Sequence, residues 1–410
     1  MIRTLTTAFL LLVMLTARRA RAAEPFELKD GERIVLLGNT LIERDQEYGY
    51  LETALVSRWP DRNLTFRNLG WSGDTVWGDA RASFDTAAQG FQRLKDLVLA
   101  NKPTTIFVSY GTNEAFAGEK GLPEFQKGLD RLLDAIAESK ARIILISPLK
   151  QEDLGRPLPD PTVENGRLKL YCERIRATAE KRGLLYLDLF DSLEQPTKTE
   201  PNVHLTDDGQ HLSPYGYWRF ARAVERALHL AASRWDVSIA ADGHAEASSA
   251  SHTKITELKK VEPAGWQFSA HDQELPLCPP PAYPDSNRVL RVAGLPAGQY
   301  TLSINGQAAQ SGSAADWSAG VRLLKGPEFA QVEALRAAIN AKNQLYFYRW
   351  RPQNETYLLG FRKHEQGRNA VEIVQFDPLI ADQEAQIAKL RQPAPLEFRL
   401  AKDADKSPPK

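Results

Sequence analysis

The sequence is short of sulfur and of charge of one sign. Only two cysteines, Cys172 and Cys278, and two methionines stand among its 410 residues. So few cysteines exclude a disulfide-built scaffold, and their spacing matches no zinc ribbon or finger. They could pair in an oxidising compartment, or Cys172, which falls in a helical pattern, could be a buried free thiol. The 52 basic residues are matched by 52 acidic ones. That balance leaves no long-range attraction to nucleic acid or to an anionic membrane. Long apolar runs are missing as well. Ala8 to Leu15 is too short to span a bilayer, and no other segment could.

What is there begins with an export pattern. Arg3 precedes the apolar run, and Ala20-Arg21-Ala22 fits a small-x-small cleavage site with Ala23 as the new N-terminus. An uncleaved anchor is the alternative, because Arg18, Arg19 and Arg21 crowd the cleavage point. Residues 1–22 are therefore expected to be a signal peptide, and the protein periplasmic or extracellular.

From residue 33 to 232 apolar strands alternate with helical patterns. Strands are expected at Arg33–Leu37, Leu64–Asn68, Thr104–Tyr110, Arg142–Ser147 and Leu184–Leu189. Helices are expected at about Gln46–Trp59, Phe84–Ala100, Leu122–Lys140 and Thr162–Arg182. A last helix follows Ser213-Pro214, an N-cap with proline at the first helical position, and Trp218, Ala221, Val224, Leu228 and Ala231 give it one apolar face. Strands apolar at every position are buried on both faces, which means a parallel sheet between helical layers. Residues 23–235 form this α/β domain.

The pattern then changes. Residues 241–254, rich in Ala, Ser, Gly and His, read as a linker. Residues 236–325 carry short alternating runs broken by turns and predict a small β domain, with a hairpin turning at Asn305-Gly306. Helical spacing resumes at about Phe329–Lys342, and an aromatic, basic stretch without clear period follows. Residues 326–400 are expected to be a helical and aromatic segment that packs back on the first domain, and 401–410 a disordered tail.

In an open parallel sheet, ligands bind beyond the carboxyl ends of the strands. The first such end carries Gly38-Asn39-Thr40, the second "NLGWSGDT" with Asn68 and Gly73, and the third "YGTNEA" with Asn113. The loop before the last helix carries "DDGQHLSP" with Asp208 and His211. This set suits acyl transfer: a hydroxyl attacks a carbonyl and a histidine takes its proton. Asp208, three residues before His211, can reach the far ring nitrogen and hold the imidazole in its useful tautomer. The backbone N–H of Gly73 and the side-chain amide of Asn113 are suitable oxyanion donors. A metal reading competes: His204, Asp207, Asp208 and His211 cluster in sequence, although their spacing matches no helical ligand motif.

Taken together, "GNT", the Asn68-to-Thr75 block "NLGWSGDT", Gly111-Thr112-Asn113 and Asp208-x-x-His211 resemble, in order, the motifs of the SGNH (GDSL-type) hydrolase superfamily. The resemblance covers residues 33 to 232. It implies a flavodoxin-like parallel sheet flanked by helices and hydrolysis of an ester. It also implies a triad of Thr40, Asp208 and His211, and oxyanion donors at the Thr40 N–H, Gly73 and Asn113, with Gly38, Asn39 and Asn68 as support. No metal or organic cofactor is called for. The departure is at the opening motif, where the family's Asp-Ser is Asn39-Thr40. The threonine methyl restricts χ1 and crowds the turn, and Asn39 replaces the carboxylate's acceptor role only in part.

The expected activity is that of an exported esterase acting on a small-molecule or polysaccharide ester, including carbohydrate esters. Export and an appended β domain suggest the polysaccharide by association. The rival is a catalytically impaired SGNH-fold protein that binds carbohydrate or another partner, and a third reading makes the β domain an interaction module. In the C-terminal stretch, Tyr346, Tyr348, Trp350 and Tyr357 with Arg349, Arg351, Arg362, Lys363 and His364 could bind sugars or acidic groups, or be core and solvated surface.

Overall fold

A computed structural model describes residues 26–193, 203–247, 252–358, 360–362, 364–365 and 369–404. The expected signal peptide 1–22 lies outside the described residues, as do residues 405–410 of the expected tail.

The first half alternates strand and helix. In chain order it comprises β1 (Arg33–Gly38), α1 (Thr40–Tyr48), α2 (Tyr50–Arg58), β2 (Thr65–Gly70), α3 (Ala87–Ala100) and β3 (Thr105–Ser109). There follow α4 (Leu122–Ala137), β4 (Arg142–Ile146), α5 (Thr162–Arg182), β5 (Leu185–Leu187) and α6 (Pro214–Ala227). The five strands pair in parallel in the order β2-β1-β3-β4-β5. Alternate residues of a strand face opposite sides. Ile34 and Leu36 therefore enter a core with α1, α2 and α6, while Val35 and Leu37 enter another with α3, α4 and α5. Both layers are apolar, which is why the strands read as unbroken hydrophobic runs.

One expected helix is divided. The chain turns helical at Thr40, not Gln46, and Gly49 at φ +66° separates α1 from α2. Only glycine takes that left-handed conformation without a Cβ penalty. The polar run Glu43-Arg44-Asp45-Gln46 hid the start of α1 from an apolar-period reading. In α3 the start moves to Ala87, where a capping box between Thr86 and Gln89 fixes it. The last helix does begin behind Ser213, whose hydroxyl accepts from the Gly216 N–H. Of its expected apolar face Ala221, Val224 and Leu228 are buried, with Tyr217 and Phe220 beside them, while Trp218 is half-buried and the helix stops at Ala227, short of Ala231.

The second half is a β region crossed by helices. It comprises β6 (Trp235–Ile239), β7 (Ala245–Ala247), β8 (Thr253–Lys260), β9 (Gly265–Asp272), β10 (Arg288–Val292), β11 (Gln299–Ile304) and β12 (Gln307–Ser313). Next come α7 (Ala314–Ala319), β13 (Val321–Arg322), α8 (Pro327–Trp350), α9 (Glu355–Leu358), α10 (Phe376–Leu390) and β14 (Leu396–Lys402). A four-stranded sheet, β13-β10-β6-β7, and a five-stranded sheet, β12-β11-β14-β9-β8, share one core of Trp235, Phe268, Leu290, Tyr300 and Phe398. The rings of Phe268 and Phe398 stack at 4.9 Å.

Two stretches differ from expectation. Part of the expected linker 241–254 is strand, because Ala245–Ala247 pair with β6 and Thr253 opens β8. Small alanines conceal a strand whose order comes from its neighbour's ladder. The segment 326–400 is not wholly helical: Leu396–Lys402 returns to the β region and lies between β11 and β9. Its first strand partner, Gly265–Ala270, lies more than a hundred residues upstream, so no local signal marks it. The aromatic stretch Leu345–Trp350 continues α8. Val332, Leu335 and Ile339 of that helix join the core shared by α1, α2 and α6. The Lys342 ammonium, fully buried, bonds both Glu52 carboxylate oxygens at 2.7 and 2.8 Å and the Phe66 carbonyl at 3.2 Å.

Candidate active site

The strand order reverses between β1 and β3, and the crevice opens at the carboxyl ends of those strands, where the switch-point rule places a ligand. Thr40 follows β1 as the first residue of α1. Asn39 is its N-cap, and the Asn39 Oδ1 accepts from the Leu41 N–H at 3.3 Å. The asparagine thus keeps an acceptor role, at the cost of a buried Nδ2 with no partner. The tight corner needs glycine. A Cβ on Gly38 would stand 2.5 Å from the Ser109 carbonyl oxygen, and one on Gly70 would stand 2.1 Å from the Glu43 nitrogen. Asn68 braces the corner from beneath, donating to the Ile42 carbonyl at 2.6 Å and accepting from the Gly70 N–H at 2.8 Å.

His211 comes from the loop before α6. Its Nδ1 lies 2.7 Å from the Asp208 Oδ2, and its own N–H bonds the Asp208 Oδ1 at 2.8 Å. The Gln210 N–H adds a third bond at 3.0 Å. Partial burial pushes the Asp208 carboxyl upward, but these hydrogen bonds outweigh it and hold the pKa down at about 2. The loop is tied to the chain after β4 by Glu152, which accepts from the Thr206 N–H at 2.8 Å and the Thr206 hydroxyl at 2.6 Å. The sequence cluster proposed for a metal is divided. His204 turns to Glu152 at 3.2 Å, and Asp207 to Arg44 at 3.4 Å. Among the described residues no group of three or more His, Cys, Asp or Glu is placed to hold an ion.

Thr40, Asn113 and His211 line one open cleft. Among the described residues no hydrogen bond joins the Thr40 hydroxyl to the His211 ring, although both line the cleft. The Asn113 Nδ2 donates to the Asp74 carbonyl at 2.7 Å, which leaves its second N–H free. Gly73 stands at φ +78° on the exposed turn after β2 and is not part of the cleft wall. Behind that turn Asp74, fully buried, receives the Arg81 Nε at 2.7 Å and the Tyr110 hydroxyl at 2.9 Å. Glu114 joins the same two loops by accepting from the Val76 N–H at 2.8 Å and the Gly111 N–H at 2.9 Å, and burial raises its pKa to about 7.

Four polar cleft residues outside the quoted motifs escaped the sequence reading: Arg44, Lys150, Gln151 and Tyr217. Lys150 and Gln151 follow β4, whose carboxyl end carries no family motif but obeys the same strand-end rule. Cys172 and Cys278 are free thiols, the first of them buried.

Residues 38–219 match the family model of the GDSL-like lipase/acylhydrolase family. The match runs from the end of β1 into α6 and so falls within the α/β domain. The match supports an ester-acting hydrolase, with threonine where the family's serine is expected. The fold extends beyond the domain. A gut microbial diltiazem-metabolizing enzyme, BT4096, aligns over 92% of this chain and 99% of its own, with TM-score 0.71 and 18% identity. Half of the chain aligns with LAE5, an α/β hydrolase from the metagenome of Lake Arreo, at 21% identity and TM-score 0.40, covering 99% of that chain. Half aligns with an acetylxylan esterase from Geobacillus stearothermophilus, Axe2, at 18% identity and TM-score 0.40, covering 97% of that chain. No curated protein matches the chain.

Proposed function

We propose that this protein is an exported ester hydrolase, cleaving acyl or acetyl groups from small-molecule or carbohydrate esters with Thr40, His211 and Asp208. The observation that carries the reading is the 2.7 Å pair of His211 and Asp208 on the cleft that Thr40 and Asn113 also line. With Nδ1 held by a carboxylate, Nε2 is left to take the proton of the Thr40 hydroxyl. The oxygen attacks the ester carbonyl. The resulting oxyanion is met by the Thr40 N–H, the first amide of α1 and so without a helical acceptor. The free N–H of Asn113 completes the set, together with the N–H of Gly73 that the family resemblance implies, brought in from the turn that Asn113 holds at the Asp74 carbonyl beside the cleft. Collapse expels the alcohol, which leaves with the proton from His211, and water then releases the acid by the same steps in reverse. The charged, apolar and small-residue order of residues 3–23 supports export.

The rival, a protein that keeps the cleft and has lost turnover, draws support from the missing Thr40–His211 hydrogen bond. A panel of acetyl and short-chain esters decides between them. Turnover by wild type that disappears in His211→Ala supports the hydrolase. Equal rates for the two would overturn it, and binding of a glycan ester without turnover would establish the rival.

A further inference from the structure

The turn that carries Gly73 is held from outside the α/β domain. Its inner contacts are local: the Trp71 N–H bonds the Gly38 carbonyl at 3.0 Å, the Asp74 N–H bonds the Trp71 carbonyl at 3.0 Å, and the buried Asp74 side chain meets Arg81 and Tyr110. Its outer contacts converge on Arg351, the residue that ends α8. The Arg351 guanidinium lies 3.7 Å from the centre of the Trp71 ring. Its Nη1 also bonds the Glu43 Oε2 at 3.1 Å, and that same carboxylate oxygen accepts from the Ser72 N–H. Trp350 sets its ring against Trp71 at 5.7 Å. One planar cation therefore stacks on the residue two before Gly73 and fixes the acceptor of the residue immediately before it.

We propose that Arg351 is a positioning residue for the oxyanion site: through Trp71 and Glu43 it fixes the Ser72–Gly73 turn, so that α8 completes the active site of the α/β domain. The inference rests on the hydrolase reading for its catalytic consequence, and on geometry alone for its mechanical one. Gly73, at φ +78°, faces open space: a Cβ at this position would meet nothing within 4 Å. No packing at the glycine itself defines the direction of its amide. The direction must come from its neighbours. Arginine suits the task because it stacks flat on an aromatic face while its fork holds a carboxylate.

The test uses the full chain with Arg351→Gln, Arg351→Lys and Glu43→Gln, and Arg349→Gln as a control that removes a charge from the same end of α8. Hydrogen–deuterium exchange is followed in the peptide covering residues 70–75, and kcat and KM are measured on p-nitrophenyl acetate. Deleting an oxyanion donor costs about 10²–10³ in kcat, so loosening one through Arg351→Gln is expected to cost about tenfold, with KM changed less than about twofold. Exchange in the turn should rise in step. Arg351→Lys keeps the charge on Glu43 but loses the flat stack, and should recover part of both; Arg349→Gln should match wild type in both. Glu43→Gln leaves α8 intact and decides the matter if Arg351→Gln does not fold. Wild-type exchange in the turn for Arg351→Gln, or for Glu43→Gln where the first is unfolded, overturns the proposal. So does a loss carried wholly in KM, which would make Arg351 a substrate contact. Absence of ester turnover in wild type would overturn the hydrolase reading and leave exchange to judge the clamp.

Discussion

The imidazole Nδ1 of His211 lies 2.7 Å from the carboxylate of Asp208, three residues earlier in the same loop. The short span makes the pair a local structure: one carboxylate collects the ring and two backbone N–H groups, and the loop closes around it. With its pKa held at about 2, below the usual 3.8, Asp208 stays ionised through the whole working range. It supports the folded loop above the usual carboxylate pKa, and that support is lost only as pH falls through about 2. Asp208→Asn should lower kcat about 10³–10⁴-fold by favouring the wrong tautomer. An acid limb in the wild-type rate profile near pH 4 would show that another group governs it.

Thr40 tests the opening motif. The methyl restrains χ1, and an off-rotamer hydroxyl costs about 0.5–1.5 kcal/mol. Thr40→Ser should then raise the turnover rate about two- to tenfold. Thr40→Val keeps the shape, removes the oxygen and should abolish turnover of p-nitrophenyl acetate. Residual turnover in Thr40→Val that still depends on His211 would assign the attacking oxygen elsewhere.

Asp45 is a stability probe. It lies fully buried on the inner face of α1, and its carboxyl is pushed up to about 7, first by burial and then by the nearby Glu52. The folded protein thus retains a proton that the unfolded chain releases near the usual 3.8. The sign follows: stability is greatest below the unfolded value and declines as pH rises from about 4 to about 7. Asp45→Asn should flatten that decline, leaving the variant more stable than wild type at pH 8 by roughly 2–4 kcal/mol. Urea unfolding at pH 5 and pH 8 reads the difference.

Lys342 ties α8 to α2 through Glu52, with both side chains at most 5% exposed. Burial pulls its ammonium below the ordinary lysine range, against the pull of Glu52 in the other direction. Lys342→Met leaves a buried carboxylate uncompensated and should cost about 3–5 kcal/mol, whereas the pair Lys342→Met with Glu52→Leu should cost far less. Thermal melts of the two variants measure the contrast. Equal losses would mean the helix is held by apolar packing alone.

The sequence by itself determined what depends on short spans. Apolar runs two faces deep dictated a parallel sheet between helices. Asn305-Gly306, both at positive φ, made the hairpin that joins β11 to β12. Asp208 and His211 were already within reach of each other because three residues cannot carry them apart. The tertiary structure decided what depends on long closure. It placed Leu396–Lys402 between strands far earlier in the chain, because a strand's place in a sheet is set by pairing partners and not by its own composition. It brought Lys150 and Gln151 to the cleft, and it laid Arg351 on Trp71, 280 positions away in number. Contacts of that kind leave no periodicity in the sequence, since each joins residues whose separation along the chain no local rule fixes.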